Sequence, residues 1–164
     1  MGGDASGPEM NLISQSVENA NARIRYFRIA FGAASPRQRV GRSEVVGILR
    51  DIAGSGRIVT DWQPGGELPR QQVKLAFLLL QCFESAMPWG GRITVSVVGE
   101  QWAIHGEASQ MKIDPDLWEV LSNPMADADL DAANVHFALA PLSAQVIGAQ
   151  LSVESSQNSI RVRF

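Results

Sequence analysis

At 164 residues the chain is long enough for one well-packed core with an appended element, and too short for two domains of ordinary size. Its 45% hydrophobic and 19% charged residues are those of a foldable globular protein, and a net charge of −3 gives no overall attraction for nucleic acid. A single cysteine, Cys82, excludes an internal disulfide framework and cannot make a zinc site alone.

In chain order, the Gly- and Ser-rich residues 1–8 read as a tail, and Ser6 with Glu9 forms a capping box that starts a helix near Pro8. Met10, Ile13, Val17, Ala20, Ile24, Phe27 and Phe31 then recur at spacings of 3 and 4, a heptad stripe that Gly32 and Pro36 close. No other segment matches it in length and pattern. The stripe is therefore either an ordinary amphipathic face laid on the main domain, or one half of a helical hairpin or self-associating bundle. Ser43 is placed to cap a short helix over residues 40–52 with Val45, Val46, Leu49 and Ile52 on one face. The Gly54-Ser55-Gly56 turn leads to a strand at 57–62, and residues 63–66 form a loop.

The next helix begins at 68–70. Leu75 to Leu80, Cys82 and Phe83 make it apolar almost all the way round, so it must be enclosed on more than one side, with Cys82 a buried structural thiol. Pro88 and Gly90-Gly91 stop it, a strand at 92–98 alternates Ile93, Val95 and Val97 on one face, and Gly99-Glu100 turns it into an antiparallel return over 101–106. Asp114-Pro115 caps a short helix carrying Leu117, Trp118 and Leu121; residues 123–130 are an acidic connector. A last helix over 131–147 puts Val135, Leu139, Leu142 and Val146 along one side, with Pro141 kinking or restarting it, and strands at 150–154 and 159–164 complete the chain. This order predicts an α+β fold, a stem helix followed by a two-layer sandwich with helices on one face of a largely antiparallel sheet.

No Gly-x-Ser-x-Gly elbow, zinc spacing or Walker loop is present, and neither His105 nor His136 has a recognisable acid or thiol companion. No catalytic or metal-ligating residue is assigned, and Asp127, Asp129 and Asp131 read as a solvated loop. No apolar run reaches the ~18 residues of a membrane span, and MGGDASGPEM lacks the basic and apolar regions of a signal peptide, so a cytoplasmic protein that binds neither membrane nor nucleic acid is expected.

The words ESAMPWGGRITVSV, residues 84–97, resemble the segment around the N-box of sensor histidine kinase ATPase domains. That family's two Mg-ATP-holding asparagines would fall on Leu78 and Cys82, which offer no amide oxygen, and its glycine boxes are replaced by residues 102–108 (WAIHGEA) and 127–134 (DADLDAAN). Phosphate cradles need glycine because backbone must approach the phosphates closely. The resemblance is thus to the fold and implies no nucleotide cofactor, ATPase or autokinase activity.

A stem joined to such a domain is similar to the ChpT-type histidine phosphotransferases, chiefly through ENANARIRYFRIAFGAASP at 18–36 and LLLQCFESAMPWGGRITVSV at 78–97. That resemblance implies two parts, a tail and second stem helix at 1–36 and a degenerate ATPase-like domain at 37–164. It also implies a homodimer with a four-helix stem, partnered by receiver domains of a hybrid kinase and response regulators. A histidine would accept phosphate from a receiver aspartate and pass it on, the receiver supplying Mg²⁺. The family's His-Asp-Leu motif is absent, so an acceptor-less fragment is expected, with Tyr26, Arg28, Ile29 and Phe31 near the receiver-docking surface. Among these, Phe31 reads as core and Arg28 as exposed. A regulator that grips receivers or kinases without relaying phosphate is the alternative, and a divergent ATP-dependent kinase a third.

Overall fold

The computed structural model describes residues 7–54 and 56–164. The first helix, α1 (Pro8–Ala30), has proline in its first turn, where a missing N–H costs nothing, and Arg28 in its last; the expected Ser6 cap lies outside the described residues. A three-residue strand β1 (Arg39–Gly41) runs directly into α2 (Arg42–Ala53), whose N-cap is Gly41 rather than the expected Ser43. Then come β2 (Ile58–Trp62), β3 (Glu67–Pro69) and α3 (Arg70–Ala86), which bears out the predicted core helix. The chain continues through β4 (Gly91–Val98), β5 (Gln101–Glu107), α4 (Pro115–Ser122), α5 (Val135–Val146), β6 (Ser152–Ser155) and β7 (Ser159–Arg163).

The main sheet has the order β2-β4-β5-β7-β6. Only the β2–β4 pair is parallel, because α3 carries the chain back across the sheet between them. The others are antiparallel, starting with the Gly99-Glu100 hairpin. Ile93 and Val95, Trp102 and Ile104, Ile160 and Val162 alternate inward and are buried beneath the helices. The opposite face carries the cross-strand row Thr94, His105, Arg161 and Glu154. The short β1–β3 ribbon is a separate two-stranded sheet, unforeseen because three residues are too few to establish an alternation.

From Val73 to Phe83 no residue of α3 is exposed. Phe77 packs against Trp62 on the sheet and Tyr26 on α1, while Phe83 meets Trp118 of α4, which in turn meets Phe137 of α5. Each such side chain contributes about 1.5–3 kcal/mol on burial, so the aromatic chain joins every layer to this helix.

The apolar side picked out on α5 is not its buried side. On α5 the buried residues are His136, Phe137, Ala140, Ser143 and Ala144, while Val135, Leu142 and Val146 face solvent. The helix is apolar on several sides, so spacing alone did not choose between them, and the large Phe137 ring took the core.

The double glycine after α3 has a steric reason. Gly90 and Gly91 hold φ of +100° and +150°, and a Cβ on Gly91 would lie 2.5 Å from the Glu107 carbonyl oxygen. Gly91→Ala should destabilise the fold by about 2–4 kcal/mol through strain and overpacking, read as a lowered urea midpoint.

Candidate functional site

The heptad stripe of α1 is uncovered. Met10, Ile13, Val17, Ile24, Phe27 and Phe31 are all exposed, Ile24 by 50% and Phe31 by 42%. The helix meets its own domain through a different face, Ala22, Tyr26, Ile29 and Ala30. An apolar stripe left open beside a filled face is a surface shaped for another helix.

The far end of α1 is fastened tightly. The Tyr26 ring stacks on Phe77 with centroids 4.5 Å apart, and its buried hydroxyl donates to the Phe77 carbonyl. Burial, then Glu84 and Cys82, raise the Tyr26 pKa well above the ordinary phenol range, so the hydroxyl stays a donor. Lys74 Nζ donates to the carbonyls of Ala30 at 3.0 Å and Gly32 at 2.7 Å, and Arg70 reaches that of Arg28 at 3.4 Å. Two cations of α3 thus satisfy the carbonyls at the negative end of α1. Arg25 adds an ion pair to Asp51 of α2 at 2.6 Å.

These contacts divide the four residues expected at the docking surface. Tyr26 and Ile29 are core residues that hold the stem, whereas Arg28 and Phe31 are exposed. Phe31 therefore corrects the expectation that it was core: it caps the helix and meets the Phe27 ring at a 45° tilt, on the open side. Between α1 and the domain lies a cleft of about 530 Å³ edged by Arg23, Phe27, Phe31, Gln81, Glu84 and His136.

Neither histidine is a free nucleophile. His136 is only 8% exposed, and its Nε2 lies 3.1 Å from Ser85 Oγ. His105 does have an acid companion, contrary to expectation: Glu107, two residues along the same strand face, places Oε1 2.7 Å from His105 Nε2. The i, i+2 spacing in β5 was the available signal.

Leu78 and Cys82, at the positions where the kinase resemblance would put magnesium-holding amides, are fully buried within the core, and burial pushes the Cys82 thiol well up. Among the described residues no group of three or more His, Cys, Asp or Glu could hold a metal ion, and no helix is long and apolar enough to cross a membrane.

The chain matches the family model of the histidine phosphotransferase C-terminal domain over residues 42–159. It is 26% identical, over 96% of its length and 78% of the relative's, to the protein phosphotransferase ChpT of Brucella abortus (strain 2308). Among solved structures it is similar to a bacterial phosphotransferase, with a TM-score of 0.79, 25% identity and coverage of 98% of this chain and 80% of that one. The histidine kinase domain of the blue-light activated kinase of Erythrobacter litoralis EL346 shares the fold, with a TM-score of 0.54, 20% identity and coverage of 92% and 71%.

His136 gives the site a pH signature. Burial lowers its pKa below the usual 6.5, so the folded state resists a proton that the unfolded chain accepts. Stability from this residue is present above pH 6.5 and is lost as pH falls towards the lower folded value. Desolvation raises the Glu84 pKa, with Arg23 opposing, which acts in the reverse sense on rising pH. His136→Gln should therefore flatten the loss of stability below pH 6.5 relative to wild type, measured by urea unfolding at matched pH values with Glu84 intact in both.

Proposed function

Because the chain belongs to the histidine phosphotransferase C-terminal domain family, we propose that it works in a phosphorelay, shuttling phosphoryl groups between receiver domains of a hybrid kinase and of response regulators. The observation that carries this reading is the uncovered stripe of α1 set on a rigidly fastened stem. A second helix laid along the stripe, supplied from outside residues 1–164, would bear the acceptor imidazole, since His105 and His136 are both engaged. The neutral imidazole nitrogen attacks phosphorus of the receiver's aspartyl phosphate, the N–P bond forms as the P–O bond to the aspartate breaks, and the carboxylate leaves. The reverse step delivers the group to the next receiver.

The division of labour is a tail and stem at 1–36 and a domain at 37–164 that supports the stem and does no nucleotide chemistry. The buried Leu78 and Cys82 support that reading, because neither presents an amide to a cation. Arg28 and Phe31, on the open side at the fastened end, are the residues of this chain proposed to meet the receiver, and Arg28 complements a receiver's carboxylates. Tyr26 and Ile29 act at one remove by fixing where that surface stands. Two stems closing on each other through their stripes make the active form a homodimer with a four-helix core, working in the cytoplasm.

The test restores to the stem, ahead of residue 1, a helix bearing the family's His-Asp-Leu motif and supplies a radiolabelled phospho-receiver. The restored protein should take up label and run as a dimer; Ile24→Asp should make it monomeric and slow transfer at least about tenfold, as expected for a charge placed in an apolar seam. Failure of the restored protein to accept label would defeat the proposal. Tight receiver binding by the chain as given, with no transfer after restoration, would instead establish a gripping regulator.

A further inference from the structure

A second uncovered apolar face lies far along the chain, on α5. Leu142 is 57% and Val146 69% exposed, one turn apart, and Met125 in the preceding loop is 89% exposed. Beside them a groove of about 310 Å³ opens between the end of α4 and α5, walled by Val120, Pro124, Pro141, Ala144 and Leu151 with no charged group in its lining. The groove is large enough for one bulky apolar anchor.

The chain through α4, its connector and α5 has one sign of charge. From residue 113 to 160 the sequence contains seven acids, Asp114, Asp116, Glu119, Asp127, Asp129, Asp131 and Glu154, and no lysine or arginine. All seven are exposed, and among the described residues only Glu154 forms an ion pair, with Arg163. The remainder of the chain holds all fourteen basic residues, so charge is segregated along the sequence although the net charge is only −3, and among the described residues only Arg23 shares a cleft with the start of α5.

We propose that the groove and outer face of α5 dock a basic amphipathic helix of another protein, its apolar stripe on Leu142 and Val146 and its Lys/Arg flanks against Asp127 and Asp129. The twelve residues of α5 extend about 18 Å, enough to seat about three turns of a helix. A symmetric contact between two copies of this face would set one acidic rim against another, which disfavours self-association here. The inference does not depend on phosphoryl transfer, because no residue of the stem takes part.

The full chain is titrated into two fluorescein-labelled three-turn peptides carrying the same leucine stripe, one flanked by Lys/Arg and one by Glu, and anisotropy is recorded. The basic peptide should bind at least about tenfold more tightly than the acidic one, and raised salt should narrow the gap. Leu142→Ser with Val146→Ser should weaken the basic peptide about tenfold, as should Asp127→Asn with Asp129→Asn. Because all four sites are exposed, far-UV circular dichroism and the melting temperature should stay at wild-type values. Equal binding of the two peptides, indifference to both double variants, or amide shifts confined to the α1 stripe would overturn the proposal. So would a wild-type dimer that becomes monomeric on Leu142→Ser with Val146→Ser, which would make the occupant a second copy.

Discussion

A helix apolar almost all the way round has to be surrounded, and α3 is such a helix between Val73 and Phe83, where no residue is exposed. The sheet supplies Trp62, Trp102 and Ile104 beneath it, α4 and α5 supply Trp118 and Phe137, and α1 supplies Tyr26 and Ile29. The enclosure would cut polar amides at Leu78 and Cys82 off from solvent, and it recruits the stem helix as part of the wall. The filled interior and the fixed stem are thus two results of one packing requirement.

The fastening of α1 illustrates how such a wall is made directional. Hydrophobic contact through Tyr26 and Ile29 would allow some sliding, but hydrogen bonds from Lys74 and Arg70 fix the last carbonyls of α1 at defined points. Burial, then Arg70, lower the Lys74 pKa, so the ammonium is held there against its own desolvation by the carbonyls it serves. A stem anchored at one end and bare along its stripe presents a stable platform to whatever helix covers it.

Charge separates the two uncovered apolar surfaces. The α1 stripe runs beside Arg23, Arg25 and Arg28, whereas α4, α5 and the connector between them contain carboxylates and no lysine or arginine. The two faces therefore suit partners of opposite charge, and one molecule has chemically distinct surfaces at its stem and at its far helix.

Much of this was legible in the chain itself. The all-round apolar run of α3, the proline and glycines that stop it, the Gly99-Glu100 hairpin, the Asp114 cap and the α1 heptad all act over a few residues, so local sterics and periodicity determine them. Periodicity showed that α1 has an apolar stripe with no matching partner in the chain, and the structure leaves it open. Which side of α5 faces inward, the burial of Tyr26 and Ile29 with exposure of Phe31, the β1–β3 ribbon and the His105–Glu107 pair were decided only by the tertiary structure. Each depends on residues far apart in the chain competing for the same space, or on which face of an element the neighbouring layers leave open. That competition is settled by volume and shape in three dimensions, and linear spacing does not encode it.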